Sequence, residues 1–279
     1  MSTFPIGIIL ESLKLPIPEA LDTIQRLGAQ GLQVYTTKGE LAPQNLTPQK
    51  KKDFLKMVKD RGLVISALVG DLGHGFGDAV KNPKLIDASK RILDLAKDWE
   101  TDIVTTHIGV VPEDPQHPRY RIMQDACGQL AQYADSLQAH FAVETGPETS
   151  KTLAAFLDSL HSTGVAVNMD PANLVMVTGD DPVAAVHTLS KYIVHTHAKD
   201  GRKLYDKDPE RIYGIVADDV VTDPAFIELP LGEGDVPFGP YLDALRAIGY
   251  KGFLTIEREV GDDPLRDVTM AVDFLRRHF

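Results

Sequence analysis

The sequence predicts a single-domain (β/α)8 barrel of the TIM type, and three observations lead there. Eight short apolar runs alternate with eight longer segments of helical period along all 279 residues. No linker divides the chain, so residues 1–279 read as one domain. No glycine-rich dinucleotide fingerprint follows the first run, which disfavours the alternative, an open doubly wound sheet.

In chain order, the first strand is predicted at 4–10 and the first helix at 18–28, opening on Pro18. Strand 31–36 precedes helix 48–61, which Pro48 starts; strand 63–70 precedes helix 84–99. There Leu85, Ala88, Ile92, Leu95 and Trp99 form one stripe at spacings of three and four. Strands 103–109, 140–145 and 165–170 lead into helices 119–139, 150–162 and 182–190, the last opening on Pro182. Strand 193–198 is followed by a long interruption, 201–236, before helix 237–248. Strand 252–258 then leads to helix 264–278, with Pro264 at its start and Leu265, Val268, Val272 and Leu275 as its stripe. Proline is tolerated at helix starts because its missing N–H would be unpaired there in any case. The 201–236 excursion follows a strand, at the face where such barrels carry chemistry. It is a candidate lid, and equally compatible with a solvated surface loop.

Composition narrows the function classes. With 43% hydrophobic and 25% charged residues, the chain can bury one sizeable core. A net charge of −11 argues against a nucleic-acid partner, which requires basic stripes to neutralise phosphates. The single cysteine, Cys127, excludes internal disulfides and Cys-based zinc sites; on a helix it reads as a small buried hydrophobe. The first residues lack a basic segment and a small-residue cleavage site, and no apolar run is long enough to span a bilayer. A cytoplasmic protein without a membrane partner is expected.

Chemistry in this fold collects at the C-terminal strand ends. The fourth predicted strand ends in Thr105-Thr106-His107, the fifth in Glu144, the sixth in Asp170, the seventh in His195-Thr196-His197 and the eighth in Glu257. Strand pleat puts Ala142 with Glu144, Asn168 with Asp170, His195 with His197, and Thr255 with Glu257. The apolar alternates suit helix packing, so the polar sets face into the barrel. Each residue alone could be a cap or a salt-bridge partner. Three carboxylates and an imidazole at one mouth repel and lose solvation unless a cation joins them. One divalent ion is therefore expected. Oxygen-rich ligation with one imidazole suits Mn²⁺ first, with Mg²⁺, Co²⁺ or Zn²⁺ as alternatives.

Several segments then resemble a known family: Asn168-Met169-Asp170-Pro171-Ala172-Asn173, His195-Thr196-His197-Ala198-Lys199-Asp200, Leu231-Gly232-Glu233-Gly234-Asp235, and Ile248-Gly249-Tyr250 running into Thr255-Ile256-Glu257-Arg258-Glu259. Over essentially its whole length the chain resembles the xylose-isomerase-like barrels, sugar-phosphate isomerases and epimerases that include ketose 3-epimerases and inositol-catabolism enzymes. The resemblance implies Glu144, Asp170, His197 and Glu257 as metal ligands. It also implies Glu144 and Glu257 as the acid/base pair that moves a proton beside a carbonyl through a metal-stabilised enediolate. The implied partner is a small sugar or sugar phosphate. A homo-oligomer is compatible with it, since barrels of this kind often pair. One departure stands out. The resembling ketose 3-epimerases carry a histidine three residues after the aspartate ligand, where this chain has Asn173.

His107, Asn173, Lys199 and Arg202 are expected to contact substrate, the two cations by meeting an anionic group. His195, one step below His197, belongs to a polar layer with Asn168 and Thr255 that orients the ligands from beneath. His74 reads better as a surface-loop residue. Glu233-Gly234-Asp235 resembles a phosphate nest, although Asp235 is also a good helix N-cap. The competing functions are a dehydratase of a keto-inositol or sugar acid, an abasic-site endonuclease, and a non-catalytic sugar-binding protein. The endonuclease lacks its histidine-rich metal cluster and basic surface here, and the retained glutamates speak against mere binding.

Overall fold

Eight parallel strands close the barrel, because each carries apolar side chains on the face that meets the helices. The computed structural model describes residues 4–217 and 223–278. Residues 1–3, where the N-terminal reading began, 218–222 within the predicted excursion, and 279 lie outside it. The elements run β1 (Ile6–Ile9), α1 (Ile17–Arg26), β2 (Gly31–Tyr35), α2 (Pro48–Lys59), β3 (Val64–Val69), α3 (Asn82–Asp98), β4 (Ile103–Thr106) and α4 (Pro118–Ser136). They continue through β5 (His140–Glu144), α5 (Ser150–Asp158), β6 (Val165–Met169), a single turn α6 (Pro171–Asn173), α7 (Pro182–Thr188) and β7 (Ile193–Ala198). The chain ends with β8 (Asp200–Lys203), α8 (Pro209–Ile212), β9 (Phe226–Leu229), α9 (Phe238–Ala247), β10 (Leu254–Ile256) and α10 (Pro264–Arg277).

The barrel order is β1-β10-β7-β6-β5-β4-β3-β2. All eight predicted strands and all eight predicted helices are present, with ends moved by a few residues. The proline signals hold, with Pro48, Pro182 and Pro264 opening their helices and Thr47, Asp181 and Asp263 capping them. The stripe on α3 is rotated in its first turns: Ile86 and Ser89 are buried, while Leu85 and Ala88 are only half-buried. Its far end is as expected. Trp99 packs against Phe54 with ring centroids 4.6 Å apart and donates its indole N–H to the Lys51 carbonyl at 3.1 Å.

Three features depart from the predicted elements. The fourth strand stops at Thr106, so His107 begins a loop. That loop packs against the one after β3, where a side chain on Gly75 (φ 59°) would meet the Ile108 carbonyl at 2.7 Å. After β6 the chain makes α6 and then a π-turn, Leu174–Thr178. The excursion is not a plain loop: β8 and β9 pair antiparallel from Asp200↔Leu229 to Lys203↔Phe226, and α8 lies between them. Register shifts occur between Leu32 and Gln33 on β2 and between Val167 and Asn168 on β6, and such bulges re-aim side chains near sites. Among the described residues no helix is long and apolar enough to cross a membrane.

Candidate metal centre

Four neighbouring strands deliver the cluster. Glu144 ends β5, Asp170 follows β6, His197 lies on β7 and Glu257 follows β10. Parallel register brings them level, with Glu144 opposite Asn168 and His197 opposite Thr255. One ligand atom from each of the four lies within 4.8 Å of the others, and all four side chains are buried. His197 Nδ1 is 3.0 Å from Glu257 Oε2, 3.3 Å from Asp170 Oδ2 and 3.7 Å from Glu144 Oε1.

Burying even one unpaired carboxylate costs several kcal/mol, and three converge on one imidazole here, with Lys199 against Glu257 and His107 against Glu144 adding positive charge at the rim. The donor set fits a divalent cation. Glu257 Oε2 is buried and within ion-pair reach of His197 and Lys199, yet no hydrogen bond is directed at it. The electrostatics agree in sign. Burial works against the charge on His197, but Glu257 and Glu144 outweigh it and hold the imidazole well above its usual range. Burial likewise opposes ionisation of Glu257, and Lys199 and His197 overcome it, leaving the carboxyl well below its usual range. Asp170 is pushed up by burial.

A polar layer lies beneath, as the strand parity predicts. His195 accepts from the Thr255 hydroxyl at Nε2 (2.9 Å) and donates from Nδ1 to Asn168 Oδ1 (2.8 Å). Burial, with His197 nearby, keeps His195 well below its usual value and therefore neutral. The Asn168 amide donates to Glu144 Oε2 at 3.1 Å. Asn173 donates to the other oxygen of the same carboxylate, Oε1, at 3.0 Å. Asp170 Oδ1 accepts the Asn173 backbone N–H at 2.9 Å, so the α6 turn fixes both residues.

The remaining predicted site residues divide. His107 stands at the cluster, with Nε2 3.4 Å from Glu144 Oε1 and its ring 5.7 Å from that of Tyr213. Burial would lower its pKa, but Glu144 raises it to about 9, so it is cationic. Lys199 is buried, with Nζ 3.1 Å from Glu257, 2.9 Å from Glu259 and 3.9 Å from Glu228. Its charge is thus directed at the chain's own carboxylates. Arg202 does not line the cavity. On β8 it points away from the mouth and donates to exposed Asp235 at 2.9 Å.

That pairing also removes Asp235 as an N-cap, since α9 begins after Pro237 without a side-chain cap. The nest is real but filled from within. Asp200 accepts the backbone N–H groups of Gly201 (2.9 Å), Gly232 (2.9 Å), Gly234 (3.0 Å) and Val236 (3.1 Å). A side chain on Gly234 would meet that carboxylate at 2.1 Å.

A cavity of about 250 Å³ opens above the cluster, walled by Tyr35, Val69, Met176, Ile212, Tyr213 and Phe226. Residues not foreseen here are Gln33, whose amide reaches His197, and Tyr213 and Glu228, supplied by the excursion. Gln33 alone carried a signal, as a polar residue on an apolar strand at the same parity as Tyr35. A second cavity of about 450 Å³ adjoins the first through Asp71, His107 and Tyr213, and His74 lines it.

The comparisons agree with this architecture. A family model described as a xylose isomerase-like TIM barrel matches residues 21–278. Inosose dehydratase of Clostridium tetani (strain Massachusetts / E88) is 28% identical over 226 residues, 78% of this chain; the match spans 63% of that protein's length. Among solved structures, a xylose isomerase domain protein from Planctomyces limnophilus superposes with TM-score 0.77 at 24% identity, covering 99% of this chain and 97% of that one. D-Psicose 3-epimerase from Clostridium cellulolyticum H10 gives 0.73 at 14% identity, covering 99% of each. At these identities the structural likeness is one of fold.

Proposed function

The chain belongs to the xylose isomerase-like TIM barrel family, and we propose that it is a divalent-metal-dependent enzyme that moves a proton beside the carbonyl of a small sugar-like substrate, as an isomerase or epimerase. One observation carries this reading: Glu144 and Glu257 lie on either side of a buried cluster, with ligand atoms within 4.8 Å of one another. Glu144, Asp170, His197 and Glu257 would hold the ion, for which Mn²⁺ is the first choice. When bound, it would polarise a substrate carbonyl and the adjoining hydroxyl. Glu257 takes the proton from carbon, leaving the enediolate, and Glu144 returns one at the other face or the neighbouring carbon. His107 and Asn173 orient the substrate's hydroxyls. Lys199 holds Glu257 in place more than it meets a substrate anion, and Arg202 takes no part. The excursion acts as a lid that excludes water through Ile212 and Tyr213.

A second reading, dehydration, has a specific observation in its favour. Both oxygens of Glu144 accept amide N–H bonds, and a cationic His107 stands beside it, whereas Glu257 meets neither. Elimination needs such an asymmetric pair, a base on one side to take the proton from carbon and an acid on the other to protonate the leaving hydroxyl so that it departs as water. The inosose dehydratase relative is consistent with it.

Incubating the Mn²⁺-loaded protein with ketoses and inososes in heavy water tests both. Deuterium entering carbon-bound positions without loss of water is the expected result, and a product lighter by one water transfers the assignment to dehydration. Glu257→Gln should bind Mn²⁺ while exchange falls by about 10²–10⁴-fold. Undiminished exchange in that variant removes Glu257 from the acid/base role.

A further inference from the structure

We propose that Gln33, on β2 three strands from β7 around the barrel, is the positioning residue that fixes which ring nitrogen of His197 faces the three carboxylates. The inference rests on the metal reading above and concerns a residue outside the ligand set. Gln33 and Thr105 are fully buried, so their polar atoms must be paired inside the barrel.

The pairing has a direction. The Thr105 hydroxyl donates to the Leu68 carbonyl at 3.4 Å, which leaves its oxygen free to accept the Gln33 Nε2–H at 2.8 Å. With its amide nitrogen committed to Thr105, Gln33 turns Oε1 toward His197 Nε2, 3.0 Å away. An amide oxygen only accepts, so Nε2 carries the proton and donates. When an ion takes the place of the second ring proton, Nδ1 is the nitrogen left to ligate it, and it is Nδ1 that faces Glu257, Asp170 and Glu144. Three strands, β3, β4 and β2, thus combine to set one tautomer on β7.

A rival arrangement exists on the same ring. The Asn168 amide nitrogen lies 3.2 Å from Nε2 and could donate to it, which would place the proton on Nδ1 and abolish ligation there. Asn168 is engaged in part, since only one of its two N–H groups goes to Glu144. Its Oδ1 accepts from His195 at 2.8 Å and its nitrogen donates to Glu144 at 3.1 Å. The Gln33 contact is also the shorter of the two.

The test measures metal affinity and ring protonation, independently of turnover. Mn²⁺ affinity is measured by competition for the parent, Gln33→Met and Gln33→Glu. The methionine side chain keeps the volume and loses the acceptor, so affinity should fall roughly 10–100-fold. The glutamate keeps an acceptor for Nε2–H and should bind at least as tightly as the methionine variant. If Gln33 only filled space, a buried carboxylate would be the worse substitution and this order would reverse. In ¹⁵N-histidine-labelled parent loaded with Mg²⁺, His197 should show a protonated Nε2 and an unprotonated Nδ1, a readout that needs no variant to fold. Methionine and parent affinities within threefold, a reversed order, or a protonated Nδ1 would each overturn the role of Gln33 while leaving the metal site standing. A parent that binds neither Mn²⁺ nor Mg²⁺ removes the metal reading itself.

Discussion

Glu148 shows how far one buried carboxyl can depart from its class. It ends up beside the loop after β4, where Oε2 accepts the Val111 N–H at 3.1 Å and buried Oε1 has no partner. Burial raises its pKa from 4.5 to about 8. The sign of the pH effect follows. Between those values the folded chain holds a proton that the unfolded chain has released, so stability falls as pH rises from about 4.5 to about 8. Glu148→Gln keeps an acceptor for Val111 and removes the titration. Urea midpoints at pH 5 and pH 8 should therefore lie closer together in the variant than in the parent, and equal spacing would refute the neutral carboxyl. Residues of this kind were not legible in the sequence. Nothing in Glu-Thr-Gly-Pro-Glu-Thr says which of the two acids faces a cluster and which is sealed against a loop. The ligand cluster was legible because strand parity and strand-end position are local properties. The pairing of Arg202 was not legible because its partner, Asp235, lies more than thirty residues away.

Among the elements, α8 lies over the mouth. Glu210 at its start forms an ion pair with Arg119 on α4, and Ile212 and Tyr213 line the cavity. Partly exposed pairs of this sort contribute about 1 kcal/mol or less. Arg119→Ala and Glu210→Ala should each raise KM by about threefold to fivefold with kcat nearly unchanged, because the loss falls on the closed state. The double variant should be no worse than either single one. Steady-state kinetics with whichever sugar is turned over decides this, and strictly additive effects would mean the two side chains act separately. The barrel's strands and helices were readable because their periods of 2 and 3.6 run through contiguous residues. The β8–β9 hairpin was not. Asp200-Gly201-Arg202-Lys203 has no apolar alternation, and its partner strand begins at Phe226. Only the folded chain brings them side by side.

On the scale of the whole molecule, an ion held by four strands should tie half the barrel together. Ligand linkage at a concentration of 100 Kd adds about 2.7 kcal/mol to stability. For a domain of this size that corresponds to a rise in Tm of about 5 °C. Calorimetry with and without excess chelator measures it, and identical melting curves would contradict a strong site. Fold class was the most legible property of all, since a closed barrel needs only the count and order of its elements. The foot of the excursion is settled by something smaller. With four backbone N–H groups gathered on the Asp200 carboxylate, the foot of the hairpin is welded to the segment that leads into α9. The hairpin then stands as a fixed post about 10 Å tall. On the lid proposal, any bending should fall beyond the braced hairpin, like a wrist on a fixed forearm, and the ligands below should keep their spacing.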